Sequence, residues 1–538
     1  MAQPSRSCWH AHTLEAWALV FGGVMLAAGS IQAHGDDSAD VAAMIRSVDT
    51  LRVQGDYAQA IELARKALRT AENSFGRDDP RTTNAKAALG AAYLEIGNLG
   101  AAGPLLREVV ASLERAEPHD ASVLACVLGD LAQTVDHPSE AESLYRRALE
   151  LAEQVHGSDH SATALALNNL SVFLREQSRA DEAEPLMRRA LRIRERREGM
   201  ASPLAAQSLC TLGRIAADLG DVSVAESLAR SSLERRRAVL TKGHPEIAES
   251  CLTLSRILLI FGKDRAEEAL KLASEALADY RAALGPKNTL TLLSMHAKAD
   301  ALVAVGRQAE SERVHEDLIA TLETLPESQV DTLAESLHEF AQHLVVAGKA
   351  ARAADLCRRA ISFRQKAHGP EDAGVVAMRQ VLAEALFADG KPEKAAAEGR
   401  AILTLIANRD DAKPLDVVAA RFALAKYMLA VGEIEEARSL LKESVSLFEK
   451  ETGPGSWQTL NAMHRLAITY VATDELGEAE RLIDDGLKRF SAAEDVRTGD
   501  VAADLIGLRA VVYRKTGRVK EAEKAEAAVR QAEKGKRH

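Results

Sequence analysis

Apolar residues recur along this chain at helical spacing, in short segments separated by polar turns. From Ser161 to Gln177 they fall at Leu167, Leu170, Phe173 and Leu174, on one face of a helix. Ser178-Arg179-Ala180-Asp181 interrupts the pattern. It resumes over Glu182 to Arg197, with Ala183, Leu186, Met187, Ala190, Leu191 and Ile193 apolar. Glu198-Gly199-Met200-Ala201-Ser202-Pro203 then closes it with glycine followed by proline, the punctuation of a helix stop. The spacing predicts two antiparallel helices joined by a short turn. Runs of period two are scarce, and no strand is predicted.

The helix pair repeats almost end to end. An alanine five residues after a turn position recurs at Ala60, Ala102, Ala141, Ala183, Ala225, Ala269, Ala353, Ala395, Ala437, Ala479 and Ala522, with Ser311 in the seventh place. The steps are 42 residues apart from single steps of 39, 44 and 43. Such a period marks a solenoid whose units cannot bury a core alone. The turn is glycine at 55, 97, 220, 262, 306, 348, 390, 432 and 517, and Asp136, Ser178 and Asp474 elsewhere. Glycine tolerates the positive φ that ends a helix sharply. The alanine is expected where the second helix crosses the first, so that a larger side chain would part the two axes. Local irregularities are expected in the third unit, three residues short around Asp136-His137-Pro138, and in the sixth, which has two extra residues near Lys263-Asp264. The last helix, Lys520 to Lys534, is charged on most faces and reads as a cap. Twelve units over residues 38–535, one continuous array, leave no room for a separate catalytic domain.

Composition narrows the function classes. Apolar residues make up 47 % of the chain but aromatics only 4 %, a helix-favouring mix. The net charge of −11 argues against nucleic acid as a ligand. The basic stretches Arg188 to Arg197 and Arg235 to Arg237 read as the solvated face of an outer helix. Residues 1–33 read as an export signal. Arg6 lies in a polar leader, Trp17 to Ala28 form a weakly apolar run, and small or aliphatic residues precede a cleavage point after Ala33. The mature chain would then be periplasmic or extracellular and carry no membrane span. The alternative is an uncleaved inner-membrane anchor over 16–33. Cys126, Cys210, Cys251 and Cys357 are widely spaced and read as small buried residues, neither a disulfide framework nor a zinc site.

The units resemble tetratricopeptide repeats of the 42-residue kind found in kinesin light chains and many bacterial proteins. Three segments carry the resemblance: Leu167-Asn168-Asn169-Leu170, the run Ala183-Glu184-Pro185-Leu186-Met187-Arg188-Arg189-Ala190-Leu191, and Ala141 to Leu149. His244-Pro245 matches the repeat start of that type. The resemblance implies an all-α TPR solenoid, a right-handed superhelix of about twelve antiparallel helix pairs. In it the first helices line a concave groove that takes peptides or partner domains. Kinesin light chains also carry a heptad coiled coil, which is not read here, and a motor role is not implied.

Counting back from each turn marks the side chains expected to face that groove. They are Asn168 and Arg175, with Asn169 flanking; Arg214 and Arg256 one repeat apart; and His296 and His338 at one position, with Asp300 and Gln342 a turn later. Gln380 and Glu384, then Lys426, then Asn461 and His464 follow. Asparagine amides can hold a peptide backbone, and stacked arginines can grip carboxylates. The Lys and Asn set with which some such grooves hold a chain-end carboxylate is not found at matching positions.

Signatures of chemistry are missing from the sequence. There is no phosphate loop and no G-x-S-x-G elbow. His338 and His343 are five residues apart, which points them away from each other on a helix rather than at one zinc ion. His119, His160 and His244 fall in inter-unit loops and His137 in a within-unit turn, as turn or cap residues. No cofactor, metal or catalytic residue is expected. The expected function is a non-enzymatic scaffold that binds a peptide or protein domain in the groove. The alternative is an assembly or regulatory subunit of an envelope complex, acting through its convex face or its ends. The oligomeric state is not legible.

Overall fold

The computed structural model describes residues 36–53, 56–116, 121–135, 137–260, 262–325, 330–407, 409, 413–490 and 498–535. The export signal, the turn positions Gly55 and Asp136, and His119 lie outside them. Among the described residues there are 24 α-helices and no strand. The chain divides into two compact units at Thr321/Leu322, and each is described by itself.

The first unit holds α1 (Asp36–Val53), α2 (Tyr57–Phe75), α3 (Pro80–Glu95), α4 (Leu99–Arg115), α5 (Ala121–Ala132), α6 (Pro138–His156), α7 (Ser161–Glu176), α8 (Ala180–Glu198), α9 (Pro203–Asp218), α10 (Val222–Val239), α11 (Pro245–Ile260), α12 (Ala266–Leu284), α13 (Thr289–Ala304) and α14 (Gln308–Leu322), whose last residue passes the boundary. The second holds α15 (Val330–Val346), α16 (Ala350–His368), α17 (Ala373–Ala388), α18 (Pro392–Ala407), α19 (Pro414–Val431), α20 (Ile434–Thr452), α21 (Trp457–Ala472), α22 (Leu476–Phe490), α23 (Thr498–Lys515) and α24 (Val519–Gly535). Odd-numbered helices are the first of each pair and even-numbered helices the second.

All twelve crossing positions, from Ala60 to Ala522 and including Ser311, are buried. The reason is contact between backbones. Ser171 Oγ donates to the Ala183 carbonyl at 2.8 Å, and Ser255 Oγ to the Ala269 carbonyl at 2.7 Å. In the seventh repeat the polarity is exchanged, with Ser311 Oγ donating to the Ala299 carbonyl at 3.0 Å. The first helix thus presents a small residue to the second, and the second presents one back. The turns behave as their residues dictate. Ser178 and Asp474 take φ of 60° and 63°, in the region their glycine counterparts occupy.

Between repeats a second device recurs. Gly76, Gly157, Gly285 and Gly453 have φ of 82–95° with nearly extended ψ, a backbone essentially confined to glycine. A threonine six residues on donates back to each glycine carbonyl: Thr82 at 2.7 Å, Thr163 at 2.7 Å, Thr291 at 2.8 Å and Thr459 at 2.8 Å. His160 and His244 are helix caps, each accepting a backbone N–H at Nδ1, 3.2 Å away. The short third repeat is met by α5, only 12 residues long, and the sixth by a 3₁₀ turn over Gly262–Arg265. The α24 helix buries only Ala522 and Ala525 among its described side chains, as an end helix would.

Within each unit consecutive first helices touch: α1 with α3, α5 with α7, α9 with α11 and α11 with α13 in one, and α15 with α17, α19 with α21 and α21 with α23 in the other. Consecutive second helices make no comparable backbone approach among the described residues. The first helices are therefore the crowded inner side and the second helices fan outward. Long side chains bridge the outer gaps instead. Arg147 pairs with Glu114 at 2.7 Å, Arg189 with Glu153 at 2.5 Å, Arg235 with Glu195 at 2.8 Å and Arg230 with Glu268 at 2.7 Å. Arg518 pairs with Glu480 at 2.7 Å in the second unit. Of the two basic stretches, Arg189 and Arg235 pair with the preceding repeat and Arg188 with Glu184 on its own helix, whereas Arg194 and Arg236 are buried rather than on the solvated face the sequence suggests. Exposed pairs of this kind are each worth at most about 1 kcal/mol.

Candidate protein-binding face

The inner face of the first unit is less open than helical phase suggests. Asn168 is only 1 % exposed; its Nδ2 donates to Asn169 Oδ1 at 3.3 Å, and its own Oδ1 has no partner within the protein. Asn169 is the half-buried amide of the two. Arg175 is buried, with its Nε 3.9 Å from Asp218, and burial together with the nearby Arg214 lowers its pKa. Arg214 does not offer an open guanidinium, because it donates to Glu249 at 2.6 Å and reaches the Cys210 sulfur at 3.6 Å. Arg236, from α10, holds the other oxygen of Glu249 at 3.0 Å and donates to Ser250 Oγ at 2.9 Å. Burial alone would raise the Glu249 carboxyl; the two arginines outweigh it and hold it below the usual carboxylate range. Arg256, one repeat on from Arg214, is half-buried.

At the end of α7, burial pushes Glu176 up to about 7, and its Oε1 has no partner within the protein. His296 lies edge-on to the buried His315 of α14, with ring centroids 6.2 Å apart, and Asp300 is half-buried a turn later. The described cysteines, Cys126, Cys210, Cys251 and Cys357, are unpaired with one another, and Cys210 Sγ lies 3.2 Å from Thr253 Oγ1.

In the second unit His338 Nε2 accepts from the Gln342 amide at 3.1 Å, and its Nδ1 is buried with no partner. Burial pushes this imidazole down to about 4. Gln380 is exposed on α17. One turn on, Glu384 binds Lys426 at 2.6 Å and accepts from the Tyr427 hydroxyl at 3.0 Å. The Lys426 ammonium lies over the Phe387 ring, 4.6 Å from its centroid. Arg465 sits over Phe422 at 4.9 Å, and its buried Nε has no partner. Asn461 and His464 are half-buried, and burial lowers the His464 pKa. Glu384, Phe387, Phe422, Lys426 and Arg465 come from three successive first helices, forming a polar and aromatic strip.

Counting back from the turn missed the partners of these residues. Arg236 and His315 come from second helices. One signal was available: Arg194 and Arg236 are 42 residues apart, and each bonds a serine 14 residues on, Ser208 at 2.8 Å and Ser250 at 2.9 Å. Among the described residues no group of three or more His, Cys, Asp or Glu side chains is placed to hold a metal, and no helix is long and apolar enough to cross a membrane.

The tetratricopeptide repeat family model matches residues 40–115, 120–196, 163–238 and 416–492. No curated protein matches the chain. Several solved structures are similar in fold. BtubC (BKLC) from P. vanneervenii is 20 % identical, over 43 % of this chain and 91 % of that one, with a TM-score of 0.34. A Podosopora anserina kinesin light chain of nearly identical TPR-like repeats is 21 % identical, over 37 % and 92 %, with a TM-score of 0.31. The apo form of RapI is 11 % identical, over 61 % and 86 %, with a TM-score of 0.49.

Proposed function

Because the chain belongs to the tetratricopeptide repeat family, we propose that it is a non-catalytic scaffold that holds a peptide segment or protein domain against the inner face of its first helices. One observation carries this reading: the two faces differ in how their polar groups are met. The outer charges are paired from repeat to repeat. Among the described residues, most of the buried polar atoms with no hydrogen bond within the protein lie on first helices, among them Asn168 Oδ1, Glu176 Oε1, His338 Nδ1 and Arg465 Nε, while Arg236 Nε and Arg489 Nη1 are such atoms on second helices. These atoms are covered, so a ligand would meet the half-buried and exposed polar side chains of the same helices, such as Asn169 and Gln380.

A crosslinked pull-down from the native host tests the reading with three baits. One is the unaltered chain. The second carries Arg256→Glu and Gln380→Arg on first helices, and the third Arg188→Glu and Arg358→Glu on second helices. Partners kept by the third bait and lost by the second support the inner face. The reverse pattern moves the function to the outer face. Export, with cleavage after Ala33, is part of the proposal. N-terminal sequencing of the mature chain decides it: a start at His34 supports it, and a retained Met1 contradicts it.

A further inference from the structure

Five first helices of the first unit begin in one way. The side chain just before the helix accepts the backbone N–H two residues on: Asp79 from Arg81 at 2.8 Å, His160 from Ala162 at 3.2 Å, Ser202 from Leu204 at 3.2 Å, His244 from Glu246 at 3.2 Å and Asn288 from Leu290 at 2.9 Å. Each bond satisfies a donor that the helix itself leaves unmet. Three of the acceptors are oxygens. Ser202 and Asn288 do not titrate in weak acid, and the bonds from Arg81 hold the Asp79 carboxyl below the usual carboxylate range. The other two acceptors, at α7 and α11, are imidazole nitrogens.

An imidazole accepts at Nδ1 only while it is neutral with its proton on Nε2; the charged ring donates at both nitrogens. Protonation of His160 or His244 therefore turns the cap's acceptor into a donor that faces another donor. It also sets a cation at the positive end of the helix dipole. Both effects act where histidine titrates, and neither arises at α3, α9 or α13.

The surroundings of His160 add to the opposition. Its ring stacks on His156, the last residue of α6, with centroids 4.5 Å apart and planes 13° apart. A charge on either ring opposes a charge on the other. His156 is bonded to Ser122 of α5 at 2.9 Å, and Arg197 of α8, which donates to the Asp159 carbonyl at 2.8 Å, brings a further cation. The acids of this loop are engaged elsewhere: Asp159 pairs with Arg196 at 3.3 Å, and Glu198 accepts from Ser161 and Ser202. Burial first, then His156 and Arg197, hold the His160 pKa below the ordinary histidine value. Around His244 stand Lys242 of its own loop, Glu246 of α11, which pairs with Arg236 of α10 at 3.4 Å, and Asp279 of α12, whose Oδ1 is 3.9 Å from where a Cβ on Gly243 would sit.

We propose that His160 and His244 make the first unit pH-sensitive: in weak acid they uncap α7 and α11, while Ser202 keeps α9, which lies between them in the chain, capped. Helices α7 and α11 carry Asn169 and Arg256, so the loosening falls on the inner face whatever that face binds. The sign at α7 is fixed by the direction of the His160 shift. The cap's contribution is full above 6.5, the ordinary histidine value, and is lost as pH falls below it.

Hydrogen exchange of the full chain, read by mass spectrometry at pH 7.5 and at pH 5 and corrected for the intrinsic rate at each pH, tests the proposal. Protection at the starts of α7 and α11 should fall by about three- to tenfold in acid, the loss of one cap each, while protection at the starts of α9 and α13 should hold. His160→Asn and His244→Asn put an oxygen acceptor in place of the imidazole. Each should remove the acid loss at its own helix and leave the loss at the other. The comparison of α7 and α11 with α9 within the unaltered chain needs no variant to fold. An equal acid loss at α9 and α13, an acid loss retained by the asparagine variants at their own helices, or no acid loss at α7 and α11 would each overturn the proposal.

Discussion

The helix crossing makes a prediction whose sign changes between two repeats at the same position. Gly129 and Gly213 hold the same position on the first helices of their repeats, and replacing either with alanine should gain about 1 kcal/mol from helix propensity alone. What the added methyl meets decides the outcome. At Gly129 it finds only a side-chain nitrogen at 3.6 Å, an ordinary contact, so the propensity gain survives. At Gly213 it finds the Ala225 carbonyl at 3.2 Å and the Ala229 backbone nitrogen at 3.4 Å, neither of which can rotate away. The two axes must separate by a few tenths of an ångström, and overpacking of this kind costs about 1–3 kcal/mol. Gly129→Ala is therefore expected to stabilise its repeat by about 0.5–1 kcal/mol, and Gly213→Ala to destabilise its own by up to about 2 kcal/mol. Repeat arrays unfold as neighbouring units rather than as one body, so the assay should be local. Amide exchange in α5–α6 and in α9–α10, measured side by side, reads each repeat separately. If Gly213→Ala protects α9–α10 as much as Gly129→Ala protects α5–α6, backbone contact does not set the crossing and the reasoning fails.

Three further outcomes follow from individual contacts. Glu176 is pushed up to about 7, above its unfolded value of 4.5, so its contribution to stability is present at acid pH and lost as pH rises toward 7 and beyond. Glu176→Gln should stabilise α7 by on the order of 1–3 kcal/mol at pH 8 and leave it unchanged at pH 4; an equal effect at both would refute this. His338 is pushed down to about 4 from 6.5, so its stability is full above pH 6.5 and lost as pH falls toward 4. Urea melts should show the unaltered chain losing on the order of 2–3 kcal/mol more than His338→Gln over that window, and parallel curves would count against it. Thr291→Val removes the bond to the Gly285 carbonyl and should cost about 1 kcal/mol near α13, read by exchange at that loop.

The backbone architecture was written in the sequence more plainly than the binding face. The alanine register marked every crossing, since only a small residue permits the approach that buries Ala60 to Ala522. The substitutes Ser178 and Asp474 were legible as turns from their register alone. The recurring Gly-to-Thr bonds at Thr82, Thr163, Thr291 and Thr459 share one spacing of six, but a lone threonine at a helix start has no signature that separates it from an N-terminal cap. The face was legible in angle and not in depth. Helical phase directs Asn168 and Arg214 inward, yet says nothing of whether the adjoining helix covers them. Asn168 is covered, and Arg214 is met by Glu249, 35 residues away on the neighbouring first helix. Such pairings depend on how successive repeats stack, which no single repeat encodes.

The central claim is that a protein partner lies against the first helices. A photo-crosslinking amino acid placed at Arg256 or Gln380 on first helices, or at Arg188 or Arg358 on second helices, would report contact directly in the native host. The account predicts discrete crosslinked adducts from one or both of the first-helix positions and none from the second-helix positions. Adducts confined to Arg188 or Arg358 would contradict it and assign the working surface to the outer helices.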